Sequence, residues 1–246
     1  MNVKFARTRN TLVTLFAATM LSGAALTPAM AKTLVYCSEG APEGFDAALY
    51  SANSTWDASA ETVYDRLTEF EPGTTNVVPG LAESWTISAD NLEYTLKLRA
   101  GVKFQTTDDF TPTRDFNADD VLFTFNRQMD KDDPWYTYFA GANWEMFNAM
   151  EMPAAIKEIV KVDDRTVKFV LNQPDASLPS KLALNFGSIV SKEYADKLAA
   201  DGRREDLDRK PVGTGPFRFV DYQQDAAIRF VANADYWDGA PKIDNL

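Results

Sequence analysis

The chain has no histidine. That removes His-dependent nucleophilic triads, general-base imidazoles and His-ligated metal centres together. It has one cysteine, Cys37, so neither an internal disulfide framework nor a cysteine metal cluster can form. In an oxidising compartment such a cysteine is either a small buried hydrophobe or half of a bridge to sequence outside this chain. Cations are the minority charge, 25 Lys and Arg against 36 Asp and Glu, for a net charge of −11. An acidic surface argues against nucleic acid and anionic membrane as partners, since both select clusters of Lys and Arg. After the first thirty residues no apolar run approaches the ~20 residues that cross a bilayer.

What is present begins with an address. Lys4, Arg7 and Arg9 precede an apolar stretch from Thr11 to Leu26, which ends in Ala29-Met30-Ala31. A charged opening, a hydrophobic run and an Ala-x-Ala site read as a secretory signal peptide, residues 1–31, cut between Ala31 and Lys32. Ser22, Gly23, Thr27 and Pro28 interrupt the run too early for a membrane anchor. Bulky Tyr36 before Cys37 argues against a lipidation site. The expected product is an exported, soluble, periplasmic chain of 215 residues. Its charge falls from −11 to −14 because three positive residues leave with the signal. Sixteen Phe, nine Tyr and five Trp give it ample core material.

Periodicity supplies the elements. Lys32 to Tyr36 is a short β-type run, and residues 51–57 (Ser-Ala-Asn-Ser-Thr-Trp-Asp) form a polar loop. Ala60, Val63, Tyr64, Leu67 and Phe70 recur at spacings of three and four, which predicts a helix capped by Asp57. Tyr94–Arg99 and 165–171 alternate as half-buried strands, with Asp90-Asn91 as a turn. Asn117-Ala-Asp-Asp opens a helix with an Asn cap and acids in its first turn. Ser191 is placed to cap a helix running through Leu198. Strands are expected at 217–220 and 228–231. Burial is expected for Trp85, Leu96, Leu98, Phe104, Phe123, Phe125, Phe169 and Phe217. The fold class is mixed α/β with many short antiparallel pairs, without the strand–helix alternation or glycine fingerprint of a dinucleotide fold.

No motif points to catalysis. Gly213-Thr-Gly-Pro-Phe lacks the Lys-Ser/Thr of a phosphate loop, and Pro216 removes a backbone donor, so it reads as a tight turn. Asp108-Asp109, Asp132-Asp133 and Asp163-Asp164 lack EF-hand spacing and read as solvated loop charge. Carboxylates near Trp56 and Trp237 show no spacing that singles out a glycosidase acid and nucleophile.

Several runs resemble a known family. Pro79-Gly-Leu-Ala-Glu-Ser-Trp85, Tyr94–Phe104, Asn117–Phe125, Gly213–Phe217, and Asp235–Gly239 with Pro241–Asp244 are similar to the family 5 solute-binding proteins of ABC transporters. The opening Lys32–Gly40, with Pro42–Phe45 and Ser191–Ala195, is most like the dipeptide-binding branch. The resemblance implies a non-enzymatic, monomeric periplasmic receptor without cofactor that captures short peptides, dipeptides first, and delivers them to an ABC permease in the inner membrane. Relatives for oligopeptides, haem or nickel share most of these landmarks, and a secreted hydrolase is the rival from another class. The implied fold is a two-lobed type II periplasmic binding protein, here truncated to the first lobe and its inserted smaller lobe. Residues 32–64 and 211–246 would build lobe one, 65–210 the inserted lobe, and a second ligand-gripping lobe would follow position 246. Main-chain pairing with the peptide falls on Ser51, Ala52 and Asn53, flanked by Ser54, Thr55, Trp56 and Asp57. Cys37 would pair with a cysteine downstream of Leu246.

Overall fold

The computed structural model describes residues 31–246, and Ala31–Leu246 cluster as one unit. The signal peptide predicted at 1–31 therefore lies outside the described residues, apart from Ala31; Ala31 and Lys32 are both exposed. The chain enters through helix α1 (Asn53–Ala58), then pairs β1 (Thr68–Phe70) with β2 (Val77–Pro79). Strands β3 (Ala82–Ile87) and β4 (Glu93–Leu98) lead to helix α2 (Ala118–Met129). Short helices α3 (Glu145–Ala149) and α4 (Met152–Ala155) precede β5 (Ile156–Asp163) and β6 (Thr166–Leu171). Helices α5 (Leu178–Leu182), α6 (Lys192–Ala200) and α7 (Asp206–Arg209) follow, and β7 (Phe217–Gln223) pairs with β8 (Ala227–Ala232).

The central sheet is antiparallel, in the order β3-β4-β6-β5. Its inner face follows from period-two alternation: Tyr94, Leu96 and Leu98 on β4, and Val167, Phe169 and Leu171 on β6, are all buried. Helix α2 packs on that face, with Phe125 meeting Phe169 edge-on at 5.3 Å. Its start is fixed as the sequence predicts. Asn117 accepts from the Asp119 N–H at 2.9 Å, and Asp120 accepts from the Asn117 N–H at 3.0 Å, a reciprocal cap. Ser191 likewise caps α6 through the Tyr194 N–H. The Asp90-Asn91 turn closes the β3–β4 hairpin with Asn91 in the left-handed region, φ 58°.

Three expectations need correction. The helix predicted beyond Asp57 does not form; α1 starts earlier, after Ala52, and ends at Ala58. The hydroxyls of Ser59 and Thr62 turn back onto the carbonyls of Thr55 (2.6 Å) and Ala58 (2.8 Å), and such bonds compete with helix propagation. The apolar residues of the supposed helical face still go inside: Ala60, Val63, Tyr64 and Leu67 are buried, and Phe70 ends in β1. The run at 32–36 makes only a single bridge, Thr33 to Asn245, and leaves Leu34, Val35 and Tyr36 exposed at 50%, 79% and 64%. Trp85 and Phe217 are half-buried rather than buried, because β3 and β7 are edge strands with one neighbour each. The remaining six residues of the expected core are buried.

The Gly213–Pro216 turn is a packing device. A β-carbon on Gly213 would lie 2.0 Å from the Val63 carbonyl oxygen, and one on Gly215 2.6 Å from the Val63 carbonyl carbon. Only glycine lets the two backbones approach closely enough for the Gly215 N–H to reach the Val63 carbonyl at 2.8 Å. Among the described residues no helix is long and apolar enough to cross a membrane.

Candidate functional site

The polar loop at 51–57 leaves a rigid footing. Before it, residues 44–50 are clamped by two buried carboxylates. Asp208 accepts from the N–H groups of Phe45 (3.0 Å) and Asp46 (2.9 Å) and from the Tyr50 hydroxyl (2.9 Å). Asp46 forms a bidentate pair with Arg127, and the Tyr138 hydroxyl donates to the same carboxylate. Arg127 sits on α2 with its side chain fully buried, over the Trp144 ring at 5.1 Å. Gly44 is required here, since a β-carbon would stand 2.4 Å from both Asp208 oxygens and the Tyr50 hydroxyl.

Electrostatics separate the two carboxylates. Burial pushes Asp46 up, but the Arg127 guanidinium and the hydrogen bonds outweigh it and hold Asp46 below the usual carboxylate range. Burial raises Asp208 to about 6; the neighbouring Asp46 charge adds to the rise, against the backbone and Tyr50 bonds. Burial and the adjacent Asp208 charge raise the Tyr50 phenol.

On this footing the loop residues divide. Ser51 and Asn53 are exposed, and Ala52 and Ser54 are half-buried. The Ala52 carbonyl accepts from the Thr55 and Trp56 N–H groups. As the first residues of α1, Asn53 and Ser54 present N–H groups that have no partner within the helix. Thr55 points inward and its hydroxyl accepts from the Glu43 N–H at 2.9 Å. Trp56 donates from its indole to the Tyr50 carbonyl at 3.0 Å. Ser54 donates to the Ala41 carbonyl at 3.3 Å, and the exposed Asp57 accepts from the Tyr36 hydroxyl at 3.2 Å. Ser51 reaches across to Glu145 at the start of α3, 3.3 Å away. The predicted residues thus lie together, with Ser51–Asn53 facing out and Thr55 and Trp56 fastening the loop from behind. Ser54 and Asp57 also border an open groove of about 950 Å³, lined by Leu34, Cys37, Ile228 and Leu246. Cys37 is exposed and is a free thiol among the described residues.

Sequence reasoning missed the clamp of Asp46, Arg127, Tyr138 and Asp208. Arg127 follows Phe123 by four positions on the buried face of α2, and a cation on an apolar stripe is the sequence signal for a buried pair. Its partner lies 81 residues away and carries no comparable mark. A second buried hub was also missed: Asp65 accepts from Thr214, Tyr236 and the Trp237 indole.

The mixed α/β scaffold thus carries a polar loop, exposed at Ser51, Asn53 and Asp57, on a footing of buried carboxylates. The particular family follows from comparison. The profile of "Bacterial extracellular solute-binding proteins, family 5 Middle" matches residues 76–246, and the chain belongs to this family. It is 54% identical over 218 residues to Di/tripeptide-binding protein 4 of Pseudomonas aeruginosa, covering 89% of this chain and 41% of that one. It is 50% identical over 214 residues to Heme-binding protein A of Haemophilus influenzae, covering 87% and 39%. The dipeptide-binding protein from Pseudoalteromonas sp. SM9913, solved in complex with Met-Leu, superimposes with a TM-score of 0.84 at 40% identity, covering 87% and 42%. The chain therefore spans about two-fifths of the length of these relatives.

Proposed function

We propose that this chain is part of a periplasmic receptor that captures short peptides, dipeptides first, for an ABC importer. The observation that carries the reading is the outward-facing loop Ser51–Asn53, on a chain 54% identical to a di/tripeptide-binding protein. The N–H groups of Asn53 and Ser54, left without a partner within the helix, suit a peptide of any sequence, because every peptide offers the same backbone carbonyls as an added strand. Ser51, Ala52 and Asn53 make that pairing; Ser54, Thr55, Trp56 and Asp57 hold the loop in shape. The receptor delivers its peptide to a permease in the inner membrane, works as a monomer and has no catalytic role.

The lobes divide as the resemblance implies, 32–64 with 211–246 and 65–210 inserted. Support comes from the bonds of Gly215 and Phe217 to Val63 and Thr62, and of Leu34 to Asn245. A further lobe then supplies the groups for the peptide's charged ends, and Cys37 bridges to a cysteine within it. Calorimetry tests this division of labour. The present chain should bind dipeptides no better than millimolar, about −4 kcal/mol, and a full-length form at micromolar or tighter, about −8 kcal/mol. In the full-length form Asn53→Pro should weaken binding by removing a donor and restricting Ala52. Micromolar binding by the present chain would refute the idea that half the site lies elsewhere. Haem is the second reading, favoured by the 50% identical heme-binding relative, and a spectral titration of the full-length form with haemin decides it.

A further inference from the structure

The N-terminal seam holds an arrangement that signal removal changes chemically. The Lys32 backbone N–H donates to Asp244 Oδ2 at 2.7 Å. The Lys32 carbonyl accepts from the N–H groups of Asp244 (2.8 Å) and Asn245 (3.1 Å), and the Leu34 N–H donates to the Asn245 carbonyl at 3.0 Å. Asp244 and Leu246 are in turn bonded to β8, through the Ala232 N–H (2.9 Å) and a reciprocal pair with Phe230 (2.8 and 3.0 Å). The nitrogen that a cut after Ala31 would free is thus already fixed against a carboxylate by neighbouring bonds. Among the described residues Asp244 forms no ion pair with a lysine or arginine side chain, so its charge is uncommitted.

We propose that processing before Lys32 creates a structural ion pair between the freed α-amine and Asp244, which locks the Lys32–Leu34 segment to residues 244–246. The inference rests on the reading that the signal is cut at this bond. Hydrolysis by a signal peptidase adds one water across the Ala31–Lys32 amide. Ala31 leaves as a carboxylate, and the Lys32 nitrogen gains the proton balance of an ammonium. An N-terminal amine has an ordinary pKa of about 7.7–8.0, so it is cationic at neutral pH. A neutral amide donor becomes a charged one on the same acceptor, and charge-assisted bonds are about twice as strong as neutral ones. The precursor and the mature chain then share a backbone but differ in the strength of this seam.

A four-member cycle isolates the charge. Mature chains beginning at Lys32, and chains carrying one extra N-terminal Met so that Lys32 keeps an amide, are compared with Asp244 and with Asp244→Asn. The extra Met should lower Tm by about 1–4 °C when Asp244 is present, the range of an exposed ion pair in a chain of this size. The loss should be under half as large with Asp244→Asn, and should shrink in about 1 M salt. Acylation of the α-amine near pH 7 gives an independent reading: Asp244→Asn should speed it by roughly threefold, equivalent to an exposed ion pair. Equal Met penalties in both backgrounds, or an acylation rate indifferent to Asp244, would overturn the ion pair. N-terminal sequencing of the exported protein checks the cleavage site separately, and a start other than Lys32 removes the cleavage reading while the cycle still reports on the pair.

Discussion

Replacing Arg127 by methionine is the severest test of how the binding loop is supported. The Arg127 side chain is fully buried and that of Asp46 nearly so, with Arg127 Nη2 2.9 Å from Asp46 Oδ1. Arg127→Met keeps most of the side-chain volume but leaves a buried carboxylate with only Tyr138 and the Ala48 N–H as donors. Breaking a buried pair in this way costs about 3–5 kcal/mol, because the remaining charge stays desolvated and uncompensated. For a chain of about 215 residues that corresponds to a Tm lower by roughly 6–20 °C, at about 2–4 °C per kcal/mol. The pH dependence carries a sign. In the wild type the folded Asp46 pKa lies below its unfolded value of about 3.9, so its stabilisation is in place above that pH and is lost as pH falls further. In the variant the buried, unpaired carboxylate has a folded pKa above 3.9. It therefore favours folding only when protonated and loses stability as pH rises. The deficit should accordingly shrink from pH 7 towards pH 4. Thermal melts followed by circular dichroism across that range measure it, alongside Asp46→Leu combined with Arg127→Met. The double variant should recover much of the loss, since no orphaned charge remains. A deficit under about 1 kcal/mol, or one independent of pH, would refute the reasoning.

Asp208 is raised to about 6, so the folded state disfavours its charge; stability tied to it is present below about pH 3.9 and is lost as pH rises through 6. That rise corresponds to about 3 kcal/mol, and Asp208→Asn should flatten the stability–pH curve between pH 4 and 6.5 in denaturant titrations. Gly215→Ala should destabilise by about 1–3 kcal/mol, because its β-carbon meets the Val63 backbone rather than a side chain that can move; an unchanged Tm would contradict the close approach. Phe125→Ala should cost about 3–5 kcal/mol, while Trp85→Ala on the half-buried edge strand should cost clearly less. If the tryptophan proves the more expensive, the burial assigned to β3 is wrong.

Much of the fold was legible wherever a local rule had no competitor. The strands at Tyr94–Leu98 and Thr166–Leu171 follow from alternation, and the Asn117 and Ser191 caps from side chains that serve donors two or three residues away. The exposure of Ser51, Asn53 and Asp57 was legible for a similar reason, since six of the seven residues at 51–57 are polar or small, whereas a part for this loop in binding rested on the family resemblance. What failed was the helix after Asp57. Its apolar spacing suited a helix, but the Ser59 and Thr62 hydroxyls bonded the carbonyls of Thr55 and Ala58, and Thr68–Phe70 found a strand partner in Val77–Pro79.

By itself, then, the sequence determined most of the buried residues of β4, β6 and α2, where helices α2 and α6 begin, and that neither histidine chemistry nor an internal disulfide or cysteine cluster operates within this chain. Tertiary structure alone decided which buried charges meet. Asp46 finds Arg127 across 81 positions and Asp208 grips the Phe45–Tyr50 segment from more than 150 positions away. It also decided why Gly213 and Gly215 admit no side chain and why the Lys32 nitrogen lies against Asp244. The physical reason is range. Caps and alternation act between residues a few positions apart, whereas desolvation and close approach depend on whatever the folded chain brings to the same point in space.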